Sequence, residues 1–235
     1  MNMTTMRSIA TCGLIAMTMI GCAAEEPKYG TETQISSPLK QRQVWAVAPA
    51  VNLSGYLVDP LLQGDLLFQQ LQQVDGITAV PVNRVAQVYA SLRIEQVQSA
   101  EQASIVCDVL GCDGLLVPTV TAYDPYDPPK LGVAIQLFRK SGFTRPENVS
   151  PRDLARRASP GKQQSLATAP DFLQTVGMFD AASGSVRQAV YDYAKGRNDP
   201  LGPMGAKEYF VSMDRYSGFV YHTLIAEMLR HPKLK

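Results

Sequence analysis

The sequence predicts an α/β fold: a single two-layer domain with a mixed β-sheet packed by helices, carrying one long irregular insert. Two observations predict it. Short apolar, β-branched runs recur at 43–50 (QVWAVAPA), 77–81 (ITAVP), 112–123, 131–139 and 171–181. Between the first three lie stretches with the 3.6-residue spacing of amphipathic helices, so strands and helices alternate before three strand-like runs follow in succession.

QVWAVAPA is apolar at nearly every position, which suits a strand buried on both faces. VNLSGYLVD follows as a loop. Asp59-Pro60 supplies an N-cap and a first-turn proline, and Leu61, Leu62, Leu66, Leu67, Gln70 and Leu71 form a helical stripe interrupted by Gly64. That helix is expected to end near Asp75-Gly76. ITAVP is a short second strand, closed by Pro81. A second helix is expected over 82–94, with Val85, Val88, Tyr89 and Leu92 on one face; Ser99 caps a third, where Glu101 and Gln102 suit the first turn. After the three later strands, Ala182-Ser183-Gly184 turns into SVRQAVYDYA, read as a return strand that becomes helical. The chain closes on an amphipathic helix over 212–230, capped by Ser212, with Tyr216, Val220, Leu224, Ile225 and Met228 inward.

The front of the chain belongs to no fold. Arg7 is the only charge in the first 24 residues, and the apolar run Ile9 to Gly21 is too short to span a bilayer, which needs about 20 residues. A basic start, an apolar middle and a small residue before the cut make a secretory signal over 1–21. The next residue is Cys22, and MIGC resembles the lipobox of bacterial lipoproteins, with Met19 where that motif prefers Leu. The resemblance implies diacylglycerol on the Cys22 sulfur and acylation of the new amino end. Ala23, where an Asp would favour inner-membrane retention, implies the outer membrane. Residues 22–42 are polar, contain two prolines and show no apolar period, so they read as a flexible tether to a domain over 43–235.

Cleavage before Cys22 removes Arg7 from 22 basic residues, leaving 21 against 21 acids and no net charge. Such a balance gives no footprint for nucleic acid. At 46% hydrophobic the chain can bury a core of one domain's size.

Two cysteines fall in the domain, in CDVLGC. If the third helix stops at a left-handed Gly111, Cys107 stands at C3 and Cys112 at C″, which a Schellman cap brings together. Either a plain apolar contact or a disulfide suits the pair, and an oxidising compartment permits the second. The connection TAYDPYDPPKLG (121–132) is longer than a hairpin needs. Its prolines stiffen the corner and block edge pairing, while Tyr123, Asp124, Tyr126 and Asp127 form a candidate partner-binding loop. Two carboxylates fall short of a Ca²⁺ shell, and no metal site or cofactor is expected. The insert, about 140–171, holds four prolines and six Lys/Arg against three acids. It reads as a solvated excursion or as a basic arm for an anionic partner.

VWAVAPAVNLSG, ITAVP, LGCDGLLVPTVTAY and FDAASGSV together resemble the periplasmic α/β domains of curli-secretion lipoproteins, the penicillin-binding-protein activator lipoprotein and the amino-terminal domain of the Tol-Pal translocation protein. The likeness covers roughly 43–190 and the last helix. Pro118 stands where those families often have Gly, and the insert has no counterpart. The resemblance implies a non-enzymatic, lipid-anchored subunit of an envelope complex, bound to a protein partner and able to form oligomers. The alternative is a lipid-anchored module for a small ligand or a glycan such as peptidoglycan. Only His222 and His231 offer a near-neutral base, and neither stands in a nucleophile, zinc or phosphate-loop motif, so no catalytic residue is expected.

Overall fold

The computed structural model describes residues 34–140, 172–199 and 201–234. Cys22, the signal segment and all of the insert but Lys140 lie outside these residues.

The strands are β1 (Ile35–Ser36), β2 (Gln43–Val47), β3 (Val51–Asn52), β4 (Val74–Asp75), β5 (Ile77–Val80), β6 (Gly114–Asp124), β7 (Lys130–Arg139) and β8 (Phe172–Asp180). The helices are α1 (Pro60–Leu71), α2 (Val82–Leu92), α3 (Ala100–Leu110), α4 (Gly184–Ala194), the single turn α5 (Glu208–Val211) and α6 (Met213–Leu229). The main sheet runs β5-β2-β6-β7-β8, with β3 beside β6, while β1 and β4 form a separate pair. The β2 strand is parallel to β5 and β6, because each connection crosses over through helix. The short turn after β6 and the return from the insert make β6, β7 and β8 antiparallel. The sheet is therefore mixed, as the sequence predicts.

Its layering differs from the expectation. Trp45 and Val47 of β2, Leu116 and Val120 of β6, and Leu131, Val133, Ile135 and Leu137 of β7 pack toward α1 and α6. Ala46, Ala48, Leu115 and Val117 point the other way, toward α2 and α3. Helices thus cover both faces at β2 and β6, where the sheet is the middle of three layers, while the outer face of β8 stays open at Val176 and Met178. The strands that are apolar at every position require this, since both of their faces must be dry.

The helix signals hold locally. Asp59 Oδ1 accepts from the amides of Leu61 (2.9 Å) and Leu62 (3.3 Å), with Pro60 in the first turn. Ser99 Oγ accepts from Gln102 N at 3.2 Å, and Ser212 Oγ from Arg215 N at 3.4 Å. Three details depart from the reading. The helix begun at Pro60 stops at Leu71, and Val74–Asp75 pairs with Ile35–Ser36, so the tether expected over 22–42 is fastened from Ile35 onward. Leu61 and Leu62 are exposed, and the buried stripe of α1 is Gln63, Gly64, Leu66, Leu67, Gln70 and Leu71. Residues 184–194 are helix throughout, not a return strand, because the turn from Asp180 to Ser183, closed by the amides of Ala182 and Ser183 on Asp180, takes the chain off the sheet edge.

Two side-chain hydrogen bonds tie the helices of one layer together. Tyr221 Oη donates to Gln63 Oε1 at 2.9 Å, and Tyr193 Oη to Gln70 Oε1 at 3.0 Å, tying α1 to α6 and α4. Strand direction also defines two ends. One carries the loop after β3, the hairpin turn between β6 and β7, and the turn after β8, where Ala181 N donates to Pro129 O at 3.0 Å. The other carries the β1–β4 pair, the end of α3, and Lys140 and Phe172, where the chain leaves for the insert and returns. No described helix is long and apolar enough to cross a membrane.

Candidate functional site

The YDPYDPP hairpin divides its tyrosines. Tyr126 is 76% exposed, while Tyr123 packs half-buried against the core beside α6, where burial raises its pKa. Of the candidate partner-binding loop only Tyr126 is therefore an exposed tyrosine, because Tyr123 opposes Leu131 on the inward side of β6. Asp124 Oδ1 accepts from Tyr126 N at 3.2 Å, an Asx turn, and Asp127–Pro128 is a cis peptide. Lys130 pairs with Asp180 at 2.7 Å at the foot of the turn. Asp124 therefore shapes the corner. Among the described residues no group of three or more His, Cys, Asp or Glu could hold a metal ion.

Beside the hairpin, at the same end, stands a feature the sequence reading passed over as loop. Leu53 is 68% exposed, Tyr56 54% and Leu57 fully exposed, with Leu61 and Leu62 of the first turn of α1 nearby in sequence. This apolar tip is held by polar groups. Asn52 Nδ2 donates to Tyr56 O at 2.7 Å, Asn52 Oδ1 accepts from the Ser54 amide and hydroxyl, and Ser54 Oγ accepts from Tyr56 N. Gly55, at φ +77°, makes the reversal. A stiff loop presenting aliphatic and aromatic side chains to water gives up little entropy on contact.

At the opposite end, α3 closes as its sequence implies. Gly111 has φ +70°, and the amides of Gly111 and Cys112 both donate to Cys107 O, the latter at 3.0 Å. Cys107 and Cys112 are buried free thiols in hydrogen-bonding contact, and that contact together with burial pushes the Cys107 pKa far up. Lys140 bridges the two halves of this turn: its Nζ pairs with Asp108 and its amide donates to Asp113 O at 2.9 Å.

The remaining polar concentration lies where α4 returns toward α1 and α6. Gly196, at φ +77°, lets the chain double back after α4, and the amides of Arg197 and Asn198 donate to Ala194 O. Arg197 thereby lies over the Tyr193 ring, 4.2 Å from its centroid, with Nη1 donating to Tyr193 O at 3.0 Å. The His222 ring stands 4.9 Å from the same tyrosine, its pKa pushed down to about 4 by burial and then by Arg197. A neutral imidazole whose Nδ1 has no partner among the described residues serves here as packing. Next to this group is a cavity of about 330 Å³ lined by Gln70, Gln73, Tyr193, Arg197, Tyr209 and Asp214 among others. The sequence carried no sign of it, since its walls come from four separate segments.

No family model and no curated protein matches the chain. Solved structures similar to it include the C-terminal domain of LpoB from Salmonella enterica (10% identity, 62% of this chain and 87% of that one, TM-score 0.39). Lipoprotein GNA1162 from Neisseria meningitidis is 15% identical over 64% of this chain and 92% of that one, with a TM-score of 0.38. A PelC dodecamer from Paraburkholderia phytofirmans is 12% identical over 85% and 94%, at 0.33. At such values these likenesses say nothing of what the chain does.

Proposed function

We propose that this is an outer-membrane lipoprotein whose α/β domain acts by holding a protein partner in the cell envelope and not by catalysis. The observation that carries the reading is the run from Arg7 through MIGC to Cys22, a signal segment ending on a cysteine in lipidation register. Several acyl chains on one residue anchor firmly, since each buried CH₂ contributes roughly 0.8 kcal/mol.

The fold supports a division of labour between its ends. Cys22 lies 13 residues before Ile35 (35 − 22), a stretch that reaches at most about 45 Å when extended. Ile35 sits at the end bearing the β1–β4 pair, so the anchor attaches there, and the apolar tip at Leu53, Tyr56 and Leu57 is carried on the far end, with Tyr126 beside it. Exposed aliphatic and aromatic groups on a braced loop, directed away from the anchored end, suit a protein surface with an apolar cleft.

A Cys22→Ala chain tests the anchor. The parent is expected in the outer-membrane fraction with a lipid-modified amino end by mass spectrometry, and the variant in the soluble fraction. An unmodified amino end on membrane-derived parent protein refutes the anchor. Photocrosslinkers at Leu57 and Tyr126 are expected to capture an envelope protein in intact cells, while the same probe on the exposed Asp65 captures none. A second reading, a lipid-anchored module for a small ligand or glycan, is favoured by the cavity beside Arg197.

A further inference from the structure

In the cavity wall, Arg197 has spent only part of its hydrogen-bonding capacity. Nη1 is used on Tyr193 O, yet Nε and Nη2 are buried and have no partner among the described residues. Nε and Nη2 share one edge of the guanidinium, and that edge matches the two oxygens of a carboxylate. Buried donors left unmatched cost about 1–3 kcal/mol each, so an unsatisfied pair in a cavity wall marks a missing acceptor. Other candidates are already committed or unsuited. Arg215 is held by Glu208 at 2.8 Å and lies over Tyr209. Asp214 lines the cavity but makes no ion pair with Arg197. His222 is neutral and donates nothing of the right charge.

The cavity has further features of a binding site. Its wall includes Asp214 and Arg215, from the first turn of α6, whose N-terminus carries partial positive charge. Tyr193 and Tyr209 stand edge to face at 5.7 Å and give it aromatic walls. Gln73 Oε1 is buried in the same wall and also lacks a partner, which supplies an acceptor for a hydroxyl or N–H. A volume of about 330 Å³ is small for a ligand pocket but ample for one sugar ring or two amino-acid residues.

We infer that this cavity binds a small carboxylate-bearing ligand, with the carboxylate in a two-point pair on the Nε–Nη2 edge of Arg197 and a neighbouring hydroxyl or N–H on Gln73. Because that edge is buried, binding requires the Arg197 side chain to rotate so that the edge meets the ligand. The inference rests on the second reading above and is independent of the lipid anchor and of the apolar tip.

Two sources of the carboxylate are separated by matched probes, each titrated calorimetrically into the detergent-solubilised full chain. N-acetylmuramic acid is compared with N-acetylglucosamine, which lacks its lactyl carboxylate; D-alanyl-D-alanine is compared with its C-terminal amide. At least one acid is expected to bind about tenfold or more tightly than its neutral counterpart, since a charge-assisted pair contributes about 1.5–3 kcal/mol. The arm that responds identifies a sugar acid or a peptide terminus. Arg197→Gln is expected to erase the acid preference and Arg197→Lys to keep part of it, as a point charge without the planar fork. Because Arg197 also packs on Tyr193, Gln73→Leu serves as a second variant that leaves the stacked pair in place and weakens both members of the responding pair. No acid preference in either arm, or a preference that survives Arg197→Gln in a protein of unchanged melting temperature, overturns the inference. Sedimentation with insoluble cell-wall sacculi tells the two failures apart: a protein that shows no acid preference yet cosediments keeps the second reading and loses only this site.

Discussion

Gly64 offers the sharpest test of how the layers are packed. It interrupts an otherwise apolar helical stripe, and glycine inside a helix costs about 1 kcal/mol relative to alanine, so a helix considered alone gains by Gly64→Ala. The structure reverses the sign. A Cβ at this position would lie 2.5 Å from Val82 Cγ2, 3.0 Å from the carbonyl oxygen of Ala48 and 3.3 Å from Val82 Cβ. Carbon atoms settle at about 3.5–4.0 Å, so roughly 1 Å must open between α1 and the start of α2. Neither neighbour yields easily. Val82 is 1% exposed with a β-branched side chain, and Ala48 belongs to chain fixed by its amide's bond to Leu116 O at 2.8 Å. Overpacking of this kind costs about 1–3 kcal/mol. Against the propensity gain, a net loss of up to about 2 kcal/mol is expected, read as a lower urea midpoint at constant slope and a melting temperature lower by up to about 6 °C. Repeating Gly64→Ala in a Val82→Ala background removes the 2.5 Å contact and is expected to return at least about 1 kcal/mol as coupling. Stabilisation by Gly64→Ala alone, or a penalty unchanged in the Val82→Ala background, refutes the close-packing argument.

Two further outcomes are expected. His222 titrates near 4 in the fold against 6.5 in the free chain. The unfolded state takes up the proton first as pH falls, so stability is level above pH 6.5 and declines from 6.5 toward 4, by about 1–2 kcal/mol after solvent screening of a half-buried ring. Urea titrations at pH 7, 5.5 and 4.5 are expected to show that slope and to lose it in His222→Gln; a slope that persists in the variant assigns it elsewhere. Cys107 and Cys112 are buried free thiols, and the contact with Cys112 together with burial raises the Cys107 pKa, so both cysteines are expected to resist alkylation in the native protein and to be labelled after unfolding without reductant. Failure to label the unfolded chain identifies the disulfide instead.

Local signals that act through neighbouring residues were legible before any fold existed. Asp59-Pro60, Ser99 and Ser212 each cap a helix through contacts within three residues of themselves, and Gly111 sets φ +70° so that Cys107 and Cys112 meet. Period and length alone placed β5 through β8 and the inward face of α6, because burial imposes a fixed spacing on whichever residues face the core. Misreadings arose where a choice depended on a distant partner. Residues 184–194 have apolar spacing that suits strand or helix, and the geometry of the sheet edge at Asp180 decides.

What the sequence determined by itself is therefore the class of fold and the helix starts at Asp59, Ser99 and Ser212: both are properties of contiguous residues. Tertiary structure alone decided that helices pack on both sides of β2 and β6, that Tyr123 turns inward while Tyr126 stays out, and that the β1–β4 pair lies at the end opposite Leu57. It alone brought Gln73, Arg197, Tyr209 and Asp214 around one cavity. Those residues are separated by up to 141 positions (214 − 73), and no local pattern encodes a meeting that only the packing of α1, α4 and α6 brings about.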